Sequence, residues 1–597
     1  MVDWGRFWVP RASHSLGYCG DPNGLSPRLN VYYAFATRMY RSTETTKFHY
    51  KNETFQRWRA WEVLPGRVFI WMFSCRALVG LSGEQKSRGT PLLSPRRHSL
   101  NWSRRVMQFT SFAFFLFLPT VFLVYWALAC SFLAKRHREG SLRLQNLWVV
   151  AASYLFYGWW NWQLLWLISF TALWAWGSGL LVTRCLERPE RGKRVAQVIV
   201  GLALVVNLGI LGVFKYADFF IGNCAALLQM LGFHVHLTSL QLLLPVGISF
   251  YTFQALSYVI DAYRRALQPT RDPVAFLAYV SFFPQLVAGP IERATHLLPQ
   301  FLRPRTFDYA LAVEGCRQML WGFAQKCLLA DRCAYVANQL LNQPNASTLS
   351  IWVGMICFAF QIYGDFAGYS DIAIGCSKLF GIRLMTNFRH PYFARDIAEF
   401  WRRWHISLTT WFRDYLYIPL GGSRCSPFKR IRNTFIIFLV SGFWHGANWT
   451  FLAWGAFHAC CFLPLLLCNR NRKHTSDVVA PGRLLPSGLE AWQICSTFLL
   501  AVIGWTFFRA PDISTACTWL GKMFTFCDLT YRQVGLGNLA KALPVMLLFL
   551  LITWLNRDRT LPRLPALLPL RWAIYLVLIF LILLWQVAPQ TFIYFQF

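Results

Sequence analysis

The sequence predicts an all-α, polytopic integral membrane protein, on the basis of its composition and its apolar segments. Of the 597 residues, 55% are hydrophobic and only 14% are charged, whereas about a quarter of the residues are charged in a soluble globular domain. Long apolar segments recur along the chain from about residue 109 onward. Segments of this kind satisfy their backbone hydrogen bonds inside a bilayer by forming helices.

Nine apolar segments carry this prediction, some long enough for two spans and others too short for one. They lie at 109–132, 147–181, 198–214, 240–259, 349–362, 435–466, 497–508, 543–555 and 572–587. Because one span needs about 17 to 25 residues, these segments predict roughly ten to twelve membrane helices.

The net charge of +33 is explained by a membrane rather than by a nucleic acid. Lys and Arg residues of membrane proteins collect in loops that stay cytoplasmic. The partners expected from the charge are therefore membrane lipids, and no nucleic acid is expected.

The 17 Cys residues do not indicate a metal site. Cys130, Cys357, Cys460 and Cys461 lie within apolar segments, where Cys behaves as a small hydrophobic residue. No metal-binding spacing of the CxxC kind occurs in the sequence, so neither structural zinc nor another metal is expected.

Residues 1–106 differ from the rest of the chain because they are basic and show no sustained helical or strand period. Met107 is followed at once by the first apolar segment. Our hypothesis is that 1–106 is a basic N-terminal extension created by the gene model, with the true start at Met107; a basic cytosolic arm is the alternative. The polar connectors further on are short, so residues 107–597 are expected to form one membrane domain.

The stretch "EFWRRWHISLTTWFRDYLYIPLGGSRCSPFKRIRN", residues 399–433, predicts an amphipathic helix. Helical spacing places Trp401, His405, Leu408 and Phe412 on one apolar stripe, with Glu399 and the other charged residues mostly facing elsewhere. A helix this charged is expected at an interface or along a polar interior. His405 then has either a catalytic role or an ordinary structural one.

Four basic residues follow the turn at 419–422, namely Arg424, Lys429, Arg430 and Arg432. Four positive charges in a short loop predict a cytoplasmic position. The alternative to a purely topological role is that the phosphates of coenzyme A, or an acidic acyl-carrier protein, bind there.

A second histidine, His445, lies inside the apolar segment "FIIFLVSGFWHGANWTFLAWGAFHACCF", residues 435–462. An ionisable group is costly at such a position and is by default a candidate functional residue. Helical spacing predicts Ser441, His445, Asn448 and Trp449 on one face. This set could supply a general base and an amide donor for an oxyanion, or simply an interhelical hydrogen bond.

At this point the sequence resembles the membrane-bound O-acyltransferases, and within them the alginate O-acetyltransferase-like branch, from about Met107 to its end. The resemblance is carried by "LLPVGISFYTFQALSYVIDAYR" (243–264), "FFPQLVAGPIERATHLLPQF" (282–301), "YGDFAGYSDIAIGCSKLFG" (363–381), "NFRHPYFARDIAEFWRRWHISLTTWFRDYLYIPLGGSR" (387–424), "SGFWHGANWTFLAWGAFH" (441–458) and "IGWTFFRAPD" (503–512). It implies a ring of helices around a central tunnel, with amphipathic or re-entrant helices.

The resemblance also implies roles for individual residues. His445 matches the core catalytic histidine of the family, and His405 matches a second required histidine. Asp365 and Asp371 match acidic positions and could line the tunnel, although a structural pairing with Arg is equally compatible with the sequence.

The last six residues, "FIYFQF" from Phe592 to Phe597, are aromatic and uncharged. They resemble the acyl-carrying end of a small partner peptide of related D-alanyl transferases, which implies that Tyr594 carries the acyl group. A phenol with a reference pKa near 10 needs a base to act as a nucleophile, and His445 could supply it. An interfacial aromatic anchor is the alternative.

The function implied is O-acetyl transfer across a bacterial inner membrane, in a multi-pass protein, to an alginate-like extracytoplasmic polysaccharide. Acetyl-coenzyme A or an acetylated carrier would be the cosubstrate, no cofactor would stay bound, and a periplasmic acetyltransferase- or esterase-like protein would be the partner. The alternatives are another donor or acceptor, such as D-alanine for teichoic acid, peptidoglycan or a lipid, and a transporter.

Overall fold

The computed structural model describes residues 107–130, 138–188, 191–233, 235, 237–287, 289–343, 345–475, 478–525, 528, 536–584, 590 and 592–593. Within these ranges the chain is helical and contains no strand, which confirms the predicted all-α class. Residues 1–106 lie outside the described residues, so their interpretation as an extension stays a prediction.

Twenty α-helices follow one another in the described part of the chain. They are α1 Phe112–Cys130, α2 Arg138–Asn161, α3 Leu165–Leu186, α4 Arg191–Leu211, α5 Ala217–Met230, α6 Ile248–Tyr263, α7 Pro273–Ser281, α8 Phe283–Leu286, α9 Ala294–Phe301, α10 Tyr309–Phe323, α11 Asp331–Leu341, α12 Thr348–Leu379, α13 Ile397–Arg403, α14 Ile406–Phe412, α15 Pro427–His445, α16 Trp449–Leu467, α17 Gly488–Arg509, α18 Ile513–Thr525, α19 Leu536–Leu555 and α20 Leu568–Leu584. Short π-helical segments join α4 to α5, α10 to α11, and α14 to the turn before α15.

Seven described helical runs are long and apolar enough to cross a membrane, which confirms a multi-pass membrane protein. One of these runs, 140–186, holds both α2 and α3, which are 24 and 22 residues long. The apolar α20 is shorter, at 17 residues. The runs are 112–129, 140–186, 191–230, 348–379, 449–467, 488–509 and 537–555.

Helices α10 and α12 approach so closely that their backbones touch at two glycines. A Cβ atom on Gly322 would lie 2.6 Å from the carbonyl oxygen of Gly368, and one on Gly368 would lie 2.8 Å from that of Gly322. Small residues allow this approach between membrane helices. As a result, the π-helical segment Ala324–Ala330, which follows α10, lies directly against the middle of α12.

Helices α15 and α16 form a tightly packed hairpin. A Cβ atom on Gly442 would lie 2.2 Å from the carbonyl oxygen of Phe451, and one on Gly455 would lie 2.3 Å from that of Phe438. The hairpin turn comes directly after His445, the last residue of α15. The close helix contact therefore fixes the position of His445.

The amphipathic helix predicted within 399–433 is not one continuous helix, because the chain bends at His405, in the middle of the predicted stripe from Trp401 to Phe412. Helix α13 ends at Arg403, Trp404 is extended, and His405 has φ 44° and ψ 55°, in the left-handed region. A non-glycine residue is uncommon there. The residues of the predicted stripe are nevertheless buried. Glu399, which was expected to face elsewhere, is buried too, and its carboxylate is paired with Arg395 and Arg403.

Candidate active site

The ring of His405, the residue before α14, is held by the polar side chains of Asn387 and Ser407. Its Nδ1 lies 3.0 Å from Oδ1 of Asn387, which also accepts hydrogen bonds from the backbone N–H and the hydroxyl of Ser407. The backbone N–H of Ser407 can only donate, so the Asn387 atom facing both groups is the oxygen. His405 therefore donates from Nδ1 and has its lone pair on Nε2, the form that a general base requires.

Aromatic rings surround the imidazole of His405. Phe366 of α12 lies edge-on at a centroid distance of 4.6 Å, Trp444 of α15 lies at 6.0 Å and Phe250 of α6 at 6.4 Å. Three separate helices thus position one histidine. The left-handed backbone of His405 directs its side chain into this pocket at the cost of local strain, which structures tolerate mainly at functional sites.

Trp444 links the two candidate histidines. Its ring centroid lies 6.0 Å from that of His405 and 5.0 Å from that of His445. His445 is buried, and its ring also packs edge-on against Trp454 and Phe508, each at 5.2 Å. The structure therefore brings the rings of both His405 and His445 within 6.0 Å of a single indole ring.

The carboxyl end of α15 is capped by a lysine from another helix. Nζ of Lys215, in the π-helical segment after α4, donates to the carbonyl oxygens of Trp444 at 2.7 Å and His445 at 3.1 Å. A positive charge stabilises the last carbonyl groups of a helix, which carry partial negative charge. Lys215 therefore holds the end of the helix that presents His445.

The predicted single helical face containing Ser441, His445, Asn448 and Trp449 is wrong, because α15 ends at His445. Ser441 and His445 remain together and buried, but Asn448 is the N-cap residue of α16 and its side-chain oxygen accepts from the backbone N–H of Thr450. Trp449 is exposed. Asn448 thus has a capping role at the start of α16.

The two described residues of the tail are inserted into the protein interior. Phe592 and Ile593 are buried, and the Phe592 ring packs against Tyr369 at a centroid distance of 4.1 Å and Phe366 at 6.2 Å. Phe366 is also the ring that contacts His405. Tyr594 lies outside the described residues, but the residue before it is fixed close to the histidine pocket.

The two candidate aspartates have different surroundings, and neither pairs with Arg as one alternative supposed. Asp365 is buried and forms an ion pair with Lys326 at 2.6 Å. Asp371 accepts hydrogen bonds from Gln318 at 2.8 Å and Gln325 at 2.7 Å. Asp371 also lines a narrow cavity of about 20 Å³ that reaches Asn387, the partner of His405, as well as His390.

The four candidate donor-binding residues lie at or near the end of α15 that is opposite His445. Arg424 lies in the turn before α15, whereas Lys429, Arg430 and Arg432 belong to its first two turns rather than to a loop. A 19-residue helix is about 28 Å long, and His445 is at its other end. These basic residues can therefore bind only a distant part of a donor whose acyl group reaches His445.

Sequence reasoning missed Asn387, Ser407, Trp444, Lys215 and Lys326. The two lysines gave a usable signal, because each is an isolated charge in an apolar stretch, and an ionisable residue inside a membrane segment is a candidate functional residue. The other three lie inside the segments that carry the resemblance, but nothing in the local spacing distinguished them. Their roles depend on how the side chains pack in three dimensions.

The arrangement provides two buried imidazoles packed against aromatic rings, with the tail residue Phe592 on one of those rings, Phe366. Burial of this kind excludes water, which protects a thioester or an ester from hydrolysis. An imidazole with a fixed tautomer can remove the proton from an attacking hydroxyl. Within the described ranges, no group of three His, Cys, Asp or Glu side chains could hold a metal ion.

Comparisons with known proteins identify the family of this chain. Residues 264–499 match the membrane-bound O-acyltransferase family. The chain is 40% identical over 434 residues to a probable alginate O-acetylase of Pseudomonas putida, which covers 72% of this chain and 83% of that protein. The chain belongs to the membrane-bound O-acyltransferase family.

Other relatives of this membrane-bound O-acyltransferase have different acceptors in their names. A peptidoglycan O-acetyltransferase of Helicobacter pylori is 34% identical over 67% of this chain and 76% of its own length. A teichoic acid D-alanyltransferase of Streptococcus thermophilus is 34% identical over 36% of this chain and 54% of its own length. The chain is an O-acyltransferase and a multi-pass membrane protein, as the sequence predicted.

Proposed function

We propose that this O-acyltransferase moves an acetyl group from a cytoplasmic thioester, through Tyr594, to a hydroxyl of an extracytoplasmic polysaccharide of the alginate type. The observation that carries the proposal is the position of the tail. Ile593 is buried, and its backbone N–H donates a hydrogen bond to Asp365. The preceding Phe592 packs on Phe366, and Phe366 contacts His405. Tyr594 follows directly in the sequence.

The first transfer forms an aryl ester on the tail. The Tyr594 oxygen attacks the thioester carbonyl while an imidazole, with His445 as the primary base, takes the phenol proton. The carbon–sulfur bond then breaks, and the thiolate leaves and accepts that proton. His405, whose tautomer is set by Asn387, is the second imidazole that could act as a base.

The second transfer releases the acetyl group to its acceptor. A hydroxyl on the extracytoplasmic side attacks the aryl ester, the bond from the acetyl carbon to the Tyr594 oxygen breaks, and the phenolate is reprotonated. Because phenoxide is a better leaving group than an alkoxide, the tyrosine ester is a good donor. A periplasmic acetyltransferase- or esterase-like protein that delivers the acetyl to the polysaccharide is part of the proposal.

The donor is proposed to bind at the basic end of α15. Arg424, Lys429 and Arg432 are exposed there, and they carry the charge that the phosphates of coenzyme A or an acidic carrier protein would require. The excess of Lys and Arg supports a cytoplasmic position for this end of the helix. The membrane is accordingly proposed to be a bacterial inner membrane.

The second candidate function is acyl transfer to another acceptor. For the transferred group, the comparisons favour acetyl over D-alanyl. The relatives named alginate O-acetylase and peptidoglycan O-acetyltransferase match 72% and 67% of this chain. The teichoic acid D-alanyltransferase matches only 36%. An acetyl group on a polysaccharide hydroxyl is therefore the first choice, with peptidoglycan as the alternative acceptor.

The test is peptide mapping of the tail after membranes have been incubated with a labelled acetyl donor. The parent protein should carry the label on Tyr594, and His445→Ala and Tyr594→Phe should not. Tyr575→Phe is the matched control, because Tyr575 lies in α20 and bonds to Arg317; it should keep the label. An unlabelled tail in a parent protein that still acetylates its acceptor would contradict the relay.

A further inference from the structure

We propose that Lys326, Asp331 and Asp365 form an internal binding site for the tail segment, defined here as Gln590, Phe592 and Ile593, and that this site positions the residue that follows. The consequence for catalysis rests on the proposed function of Tyr594, whereas the binding itself does not. Lys326 and Asp365 are then positioning residues. Asp365 is assigned to the tail rather than to the wall of a tunnel.

Lys326 is a buried cation whose three neighbours include the tail. Its Nζ lies 2.8 Å from Asp331 and 2.6 Å from Asp365, and its side chain is 2% exposed. The same atom donates to the carbonyl oxygen of Gln590 at 3.2 Å. An ammonium group has three N–H donors, so the tail supplies the third oxygen that this ammonium can use.

Asp365 holds the tail at a second point. One carboxylate oxygen faces Lys326, and the other accepts a hydrogen bond from the backbone N–H of Ile593 at 2.7 Å. A carboxylate that accepts a backbone N–H forms one of the stronger hydrogen bonds in proteins. The tail is therefore held at residues 590 and 593 by two members of one charge cluster.

The tail satisfies hydrogen-bonding groups of the charge cluster rather than merely lying next to it. Without Gln590 and Ile593, one donor of Lys326 and one oxygen of Asp365 would lose these partners in a buried position, where an unsatisfied polar group is costly. Phe592 adds apolar burial between the two polar contacts. Burial and hydrogen bonding together select one position of the tail.

The position of the cluster relates it to the histidine pocket. Asp365 precedes Phe366 in α12, and the Phe366 ring contacts both Phe592 and His405. Lys326 is in the π-helical segment between α10 and α11, a type of insertion that is frequent at functional sites. The site thus fixes the tail relative to the helix that also packs on His405.

The experiment measures amide hydrogen exchange in the tail peptide of the purified full-length protein. Asp365→Ala removes the acceptor of the Ile593 N–H, and the exchange of that peptide should rise by about tenfold or more, as expected for a lost buried hydrogen bond. Asp365→Asn keeps an oxygen acceptor and should show a smaller rise. Glu292→Gln is the matched control, because Glu292 is also buried and accepts a backbone N–H, that of Met385.

A variant on the tail side keeps the test valid if Asp365→Ala fails to fold. Ile593→Pro removes the N–H donor without changing the side chains of Lys326, Asp331 and Asp365. Ile593→Val keeps the donor. The remaining amides of the tail should exchange faster in the proline variant alone, with peptides of α16 unchanged in both. Tail exchange equal to the parent in Ile593→Pro would overturn the proposal.

The outcomes separate this inference from the proposed relay. Faster tail exchange in the variants, with no acetyl label on the parent tail, would support the binding site and contradict the relay through Tyr594. A labelled parent tail with exchange unaffected by Ile593→Pro would support the relay and contradict the binding site. If both hold, Ile593→Pro should also carry less label than Ile593→Val.

Discussion

Nδ1 of His405 lies 3.0 Å from Oδ1 of Asn387, an atom that also accepts two hydrogen bonds from Ser407. The Nδ2 atom of Asn387 donates to Ser370 of α12 at 3.0 Å. The amide therefore has partners on both sides and cannot turn without losing them. One asparagine, 18 residues before His405 in the chain, sets the tautomer and the orientation of the histidine.

Replacing Asn387 by Leu should lower kcat by about tenfold to a hundredfold, because a buried donor on His405 loses its acceptor at a cost of about 1–3 kcal/mol. KM for the acyl donor should change little. The measurement is the acyl-transfer rate of purified protein at several donor concentrations. Asn387→Asp, which keeps an oxygen acceptor, should retain more activity than Asn387→Leu; the reverse order would contradict the orienting role.

Replacing Lys215 by Met should destabilise the protein by about 1–2 kcal/mol and reduce acyl transfer, because the cap on the last carbonyls of α15 is lost. Tyr216→Phe is the matched control, since it removes only the hydroxyl that donates to the Phe443 carbonyl. Thermal unfolding and transfer rate are both measured. Equal effects of the two variants on the transfer rate would show that the charge of Lys215 is unimportant.

Replacing Gly455 by Ala should destabilise the α15–α16 hairpin by about 1–3 kcal/mol, because the added methyl group forces two backbones apart. The new Cβ atom would lie 2.3 Å from the carbonyl oxygen of Phe438. Gly521→Ala in α18 is the control, because no heavy atom lies within 4 Å of the added carbon. The thermal unfolding temperatures of the two variants decide the prediction; a stable Gly455→Ala protein would contradict it.

The pair of His296 and Glu292 should make stability depend on pH. A hydrogen bond to the Glu292 carboxylate raises the pKa of His296 above 6.5. The stabilisation is therefore complete below about pH 6.5 and is lost as the pH rises through the raised pKa. The effect should not exceed about 1 kcal/mol, because the His296 side chain is 44% exposed.

The measurement for this pair is the unfolding temperature of the parent minus that of His296→Gln, at pH 6 and at pH 8.5. The difference should be larger at pH 6. A difference that grows toward pH 8.5 would mean that the charged imidazole does not stabilise the fold.

The sequence predicted the helical class and the multi-pass character because apolar periodicity and segment length reflect the solvent in which each segment folds. It also singled out His445, since an ionisable residue in an apolar segment is unusual, and His405, which falls on the apolar stripe of an amphipathic stretch. The sequence-based prediction was wrong about where helices α13 and α15 end. Nothing in the local spacing around His405 indicated the left-handed residue that ends α13, because contacts with Asn387 and Phe366 stabilise that conformation.

The sequence by itself determined that this chain is a polytopic membrane protein of acyltransferase type with two histidines and an aromatic tail. Only the tertiary structure decided that Trp444 packs near both histidines, that Asn387 orients one of them, and that Asp365 with Lys326 receives the tail. The physical reason is the distance along the chain. Ile593 and Asp365 are 228 residues apart, and such a pair is created by helix packing, on which local residue patterns carry no information.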